Sequence, residues 1–175
     1  YVHSADFKID LDPPFEPPFD LHRFAELGRE GVRCLFSDST NVEREGWSGS
    51  ESLVSKAFER VVAAAKGRVF ITMFSTNAFR IQSAIDAAEK TGRRVVLLGR
   101  SLQKAAQVAR DSGFLRIASA DVYAPMDEWE RLPPHEVIAL CTGSQAQPRS
   151  ALMRLSVDDY RPVRISAGDL IVFSA

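Results

Sequence analysis

The apolar positions of this chain fall into short dense runs separated by amphipathic stretches. Val32-Arg33-Cys34-Leu35-Phe36, Val69-Phe70-Ile71-Thr72, Val95-Val96-Leu97-Leu98 and Glu136-Val137-Ile138-Ala139-Leu140-Cys141 have the length and content of buried strands. Between them, Phe79, Ile81, Ala84, Ile85 and Ala88 follow a helical period, not an alternation, up to Gly92. Ser50 is placed to cap a helix that runs to Lys66 and stops at Gly67. Gly99-Arg100-Ser101 opens another from Leu102 to Asp111, with Gly113 beyond, and shorter helices are predicted over Leu21 to Leu27, ending at Gly28, and Arg149 to Leu155. Strand and helix alternating at this interval predict an α/β fold, a mostly parallel sheet with helices on both faces.

The two ends of the chain read differently. Tyr1 to Asp10 is strand-like, and Asp12-Pro13-Pro14 and Pro17-Pro18 then break any regular element, as in a connector leaving another element. Phe114 to Pro134 is irregular. Val163-Arg164-Ile165 and Leu170-Ile171-Val172-Phe173 are predicted as two strands flanking a turn at Ala167-Gly168-Asp169.

Composition narrows the classes. A chain of 175 residues, 45% apolar, can bury one core without disulfide or structural metal. The 22 Lys and Arg against 23 Asp and Glu lack the basic footprint of an independent nucleic-acid-binding domain. An anion must therefore be held by a local site. Cys34 and Cys141 each lie in apolar context outside any CxxC pair and read as small buried residues of a reducing compartment. No apolar run approaches the ~20 residues of a membrane helix and no signal-peptide pattern opens the chain, so the expectation is a soluble cytoplasmic protein without a membrane partner. His3, His22 and His135 lack metal-ligand spacing, so hydrolysis by this segment alone is not expected.

The predicted strand ends carry Ser37-Asp38-Ser39-Thr40, Phe74-Ser75-Thr76-Asn77, Gly99-Arg100-Ser101 and Thr142-Gly143-Ser144-Gln145. Ligands of open parallel sheets bind beyond such ends, and three of these turns open into helices whose free N–H groups favour anions. One sheet edge thus reads as a phosphate-binding rim, although the same residue types are the ordinary caps and turn formers. No GxxxxGK[ST] or GxGxxG occurs. On spacing alone Asp38 caps its own turn through Ser39, Thr40 or Asn41. Arg80, Arg93, Arg94 and Arg154 read as solvated charge, whereas Arg149 follows the fourth-strand turn closely enough to reach a phosphate. Trp47 either packs on the domain or stacks on a base, and His135 reads as structural.

Taken in order, Asp6-Phe7-Lys8, Phe36-Ser37-Asp38-Ser39-Thr40-Asn41, Phe74-Ser75-Thr76-Asn77 with Arg80-Ile81-Gln82, Gly99-Arg100-Ser101, and Leu140-Cys141-Thr142-Gly143-Ser144-Gln145 before Pro148 resemble bacterial ribonuclease J, a metallo-β-lactamase-fold nuclease of the beta-CASP group. The resemblance implies that residues 1–20 are a flanking piece of the metallo-β-lactamase domain, 21–160 the beta-CASP insert and 161–175 a return segment. It implies RNA in the cleft between the two domains, with a pocket for a 5′-monophosphate end. Asp6 then matches a ligand of two zinc ions that activate water for phosphodiester hydrolysis, and Asp38 matches the acidic residue of the first beta-CASP motif beside the catalytic centre. Ser75, Asn77, Gly99, Arg100, Ser101, Thr142, Gly143 and Ser144 become candidates for RNA or phosphate binding. The implied activity is 5′-to-3′ exonucleolytic, often also endonucleolytic, with a homo-oligomer left open. The HxHxDH metal motif and the later histidine motifs lie outside the sequence. Ser4-Ala5 stands where Thr-Gly is usual, Phe79 where histidine is common, and Ala146-Gln147 where Gly-Glu is usual. The rival reading is a non-catalytic RNA- or nucleotide-binding module of a degenerate paralogue. A third is a stand-alone flavodoxin-like domain that binds a small phosphorylated ligand through the same rim.

Overall fold

The computed structural model describes residues 1–174. The chain forms two compact units, Tyr1–Leu53 and the larger one from Val54 onward. In the first, β1 (Val2–His3) pairs in parallel with β2 (Leu35–Phe36), and α1 (Leu21–Glu30) lies between them in sequence. The helix α2 (Glu51–Ala64) begins in the first unit and continues into the second.

The second unit is built on four parallel strands in the order β4-β5-β3-β6, namely β3 (Val69–Thr72), β4 (Arg94–Leu98), β5 (Val137–Cys141) and β6 (Leu170–Phe173). Alternate residues face opposite sides. Val69, Ile71, Val95, Ile138 and Leu140 share one core with Phe58 and Val62 of α2, with α3 (Ala78–Thr91) and with Leu102 and Ala106 of α4 (Arg100–Asp111). Phe70, Val96, Leu98, Ala139 and Cys141 share the other with Trp129, Val163 and Ala151 and Leu155 of α5 (Ala151–Ser156). Helices thus cover both faces, so β3 and β5 are buried throughout and read as unbroken apolar runs.

Several sequence expectations are corrected. Val32 to Phe36 is not a strand of the main sheet: only Leu35–Phe36 is extended, both residues are exposed, and the partner is β1. Within the first unit one two-residue neighbour is all that its ladder can satisfy. The strand-like opening likewise reduces to Val2–His3. The first helix runs through Gly28 to Glu30, since the left-handed turn falls at Gly31, whose N–H donates to Gly28 O. Val163-Arg164-Ile165 is not a strand. Pro162 lacks an N–H, and the place beside β3 is taken by β6, whose Leu170 N–H donates to Arg68 O. Asp169 fixes this junction by accepting from Arg68 N at 3.1 Å and Ser166 N at 2.9 Å.

Two side chains differ from their sequence reading. Cys34 is only half-buried, while Cys141 is buried and its thiol is pushed up to about 12 by burial. Arg93 is not solvated charge but 6% exposed. Its guanidinium donates to Gly67 O at 2.9 Å, Ala65 O at 2.5 Å and Val137 O at 3.4 Å, tying the end of α2 to the start of β5. Arg94 is also committed, to Glu128 at 2.8 Å and to the Asp121 and Tyr123 carbonyls.

Candidate functional site

Strands β3, β4 and β5 run parallel, so the turns that follow them meet at one sheet edge. The turn after β2 belongs to the separate two-stranded ladder, so three turns build this rim where the sequence suggested four. Chains leaving β3 and β4 turn into α3 and α4 on one face, whereas the chain leaving β5 turns into α5 on the other. Such reversals open a crevice at the carboxyl ends of the strands.

The three helix starts are not equivalent. Asn77 caps α3, its side chain accepting from Arg80 N at 3.1 Å. The start of α5 is fully used: Ala151 N–H donates to Thr142 Oγ1 at 3.4 Å, Leu152 N–H to Thr142 O at 3.0 Å, and Met153 N–H to Ser150 Oγ at 3.4 Å. The anion donors expected there are therefore spent inside the protein. Helix α4 differs. Gly99 provides no side-chain cap, no acidic residue lies in the first turn, and Arg100 and Ser101 stand exposed there. This start keeps its positive end open to an anion.

The turn after β5 is crowded. Gly143 has φ 119°, and a Cβ on it would meet Ser150 Oγ at 2.5 Å and Leu152 Cβ at 2.9 Å. The adjacent Ser144 Oγ, and Gln147 Oε1 in the same loop, are buried with no hydrogen-bond partner among the described residues. Buried polar atoms are almost always paired, so these two set the β5 turn apart from its neighbours. No local sequence pattern marks Tyr160. Its phenol lies against the Gly99 backbone N–H, and the Arg154 guanidinium sits 4.8 Å over its ring. Burial pushes the pKa of the Tyr160 hydroxyl up, so it stays neutral.

In the first unit, Asp6 and Asp38 follow β1 and β2, so the parallel pairing puts both loops at one edge. Ser4 joins them: Ser4 N–H donates to Phe36 O at 2.9 Å, and Asp38 N–H to Ser4 Oγ at 3.2 Å. Asp38 Oδ1 accepts from Thr40 N at 3.0 Å and Thr40 Oγ1 at 2.5 Å, and these bonds hold its carboxyl below the ordinary carboxylate value. Asp38 thus closes its own turn, as its spacing suggested. Asp6 is exposed. Among the described residues no group of three or more His, Cys, Asp or Glu side chains could hold a metal ion, so Asp6 does not form a metal centre with its neighbours here.

Asp10, which sequence reading passed over, is 7% exposed and accepts from Glu51 N at 2.8 Å, Asp12 N at 3.0 Å and Ser50 Oγ at 3.1 Å. Burial raises its pKa, but these hydrogen bonds and the Lys8 charge prevail and hold the carboxyl below its ordinary value. The start of α2 therefore already carries an anion. Trp47 is 86% exposed, so of its two readings packing on the domain is not the one adopted.

The family model for Ribonuclease J, beta-CASP domain, matches residues 66–175. The chain belongs to the ribonuclease J family. Over 174 residues, 99% of the chain, it is 46% identical to Ribonuclease J of Sinorhizobium meliloti, 42% to that of Mycobacterium tuberculosis and 41% to that of Thermus thermophilus. It spans about 30% of the length of these curated relatives. The mixed α/β fold with its parallel sheet is that of the family's beta-CASP domain. No described helix is long and apolar enough to cross a membrane.

Ala5 and Ala146 both lie in the left-handed region, at φ 52° and 54°, a conformation that glycine adopts at lower cost.

Proposed function

We propose that this chain is the RNA-holding beta-CASP portion of a ribonuclease J-like RNA-processing hydrolase. The carrying observation is the rim of the parallel sheet, where the open start of α4 with Arg100 and Ser101 faces a β5 turn whose Ser144 hydroxyl is buried and unpaired. A phosphate needs clustered N–H and O–H donors with a cation beside them, and the rim supplies both kinds. Ser75, Asn77, Gly99, Thr142 and Gly143 shape this edge, with Asn77 fixing the start of α3 and Thr142 the start of α5. The RNA strand lies across the rim with a 5′-monophosphate end among its ligands.

In this reading residues 1–20 belong to the metallo-β-lactamase part of the enzyme, 21–160 to the beta-CASP insert, and 161–175 to the return. Asp6 contributes one carboxylate to a zinc centre whose other ligands lie outside this sequence, and Asp38 lies beside that centre. The complete enzyme acts in the cytoplasm as a 5′-to-3′ exonuclease with endonuclease action, and self-association is compatible with the reading. Residues 1–175 alone are inactive.

The test uses the full-length protein and a 5′-monophosphorylated RNA. Arg100→Ala and Ser144→Ala are expected to weaken RNA binding, while Asp6→Ala abolishes hydrolysis and leaves binding in place. Robust RNA cleavage by purified residues 1–175 would overturn the division of labour. A full-length protein that binds RNA but never cleaves it would favour the non-catalytic module of a degenerate paralogue.

A further inference from the structure

A groove of about 570 Å³ runs from the rim between α3 and α4. Its mouth is polar, formed by Ser75 and Ser101, and its walls become apolar along Ile81, Val108 and Phe114, with Lys104 at its side. None of the lining residues is acidic. The residues from α4 recur at helical spacing, so one side of that helix faces the groove. Val108 is 59% exposed and Phe114 47%. The Phe114 ring is nevertheless held, its centroid 5.1 Å from that of Phe79 at an interplanar angle of 60°.

From this we infer that the groove is a nucleoside subsite, taking one base and ribose of an RNA strand whose adjoining phosphate lies on the Arg100–Ser101 rim. The inference rests on the rim reading above and extends it from phosphate to base. An apolar floor beside an exposed, braced aromatic ring suits a base, whose faces stack without regard to sequence. Hydroxyls at the mouth and a lysine at the side suit ribose and phosphate. Absence of carboxylates along the wall suits a polyanion and disfavours a basic peptide. The volume falls in the range of small-ligand pockets, roughly 300–1,000 Å³. Because Ser75 and Ser101 belong to both rim and groove, the two features are one continuous surface.

The experiment uses the full-length protein, a fluorescein-labelled 5′-monophosphorylated oligouridylate read by anisotropy, and a 4-thiouridine version for photocrosslinking. Phe114→Ala is expected to weaken binding roughly 5- to 150-fold, the equivalent of the ~1–3 kcal/mol lost when a stacked base loses its aromatic partner. Val108→Glu, at an exposed position that tolerates a polar residue, should weaken it as well, and crosslinks should map to Phe114 or α4. Sedimentation velocity accompanies each variant. Unchanged affinity in both variants, with no crosslink on α4, overturns the inference. So does a change of oligomeric state with RNA affinity intact, which would make the groove a protein contact. Loss of affinity with Arg100→Ala but not with Phe114→Ala sinks the subsite and leaves the rim. The reverse pattern, with crosslinks kept on α4, sinks the rim and leaves the subsite.

Discussion

Gly99 and Gly143 close neighbouring strand ends with similar backbone angles, φ 105° and 119°, but in different surroundings. At Gly99 an added Cβ finds only Thr142 Oγ1, at 3.9 Å, an ordinary contact. At Gly143 it finds Leu152 Cβ at 2.9 Å, and that atom belongs to α5 and cannot swing away. Gly99→Ala therefore meets backbone strain alone, about 1–3 kcal/mol. A smaller unfolded-state entropy returns about 0.4–1 kcal/mol to either alanine variant. Gly143→Ala meets the same strain plus an overpacking cost of about 1–3 kcal/mol, because the start of α5 must shift. The expected order is wild type, Gly99→Ala, Gly143→Ala, with the second step about 1–3 kcal/mol. Urea unfolding followed by tryptophan fluorescence reads it well. Trp129 is 2% exposed against Phe70 in the core of the larger unit, while Trp47 is already in water. With a urea slope of about 2 kcal/mol/M, the two variants should be separated by roughly 0.5–1.5 M in midpoint. Gly99→Ala equal to or less stable than Gly143→Ala would refute the packing argument.

Three further outcomes follow from other parts of the molecule. Arg93→Met, which keeps the volume but leaves the Gly67, Ala65 and Val137 carbonyls without their donor, should cost about 2–4 kcal/mol in a denaturation series, with Arg93→Lys intermediate. Asp10 has a lowered folded-state pKa, so its contribution is fully present above the ordinary carboxylate value of 3.8 and is lost as pH falls through the folded value. An acid titration of stability should therefore be flatter for Asp10→Asn than for wild type below about pH 4. Ala146→Gly should raise stability by about 0.5–1 kcal/mol, the relief of a left-handed alanine less the extra chain entropy of glycine, measured in the same urea series.

What could be read from the sequence follows from how locally each feature is determined. The buried runs at β3, β4 and β5 and the helical period of α3 carry their pattern in a dozen residues or fewer, and the structure keeps them. Val32 to Phe36 and Val163 to Ile165 looked the same by composition, but a strand exists only where a neighbour accepts its hydrogen bonds, and that depends on distant segments. The rim was visible because turn chemistry is local. Which helix start stays open was not, because Thr142 reaches α5 across nine positions and Tyr160 reaches Gly99 from much farther along the chain. Asp10 and Arg93 escaped for the same reason: only the fold brings the backbone groups that each serves around it.

The junction of Arg68 with Asp169 bridges 101 positions, and β6 lies beside β3 through it. At a synthesis rate of roughly 5–20 residues per second, β3 waits some 5–20 s on the ribosome before the strand that covers its second side has been made. During that interval its Val69-Phe70-Ile71-Thr72 backbone is an uncovered template for any extended segment nearby. Slow nonlocal closure of this kind places the aggregation risk of the domain in its biogenesis, and soluble yield should respond to codon choice and chaperone supply downstream of β5.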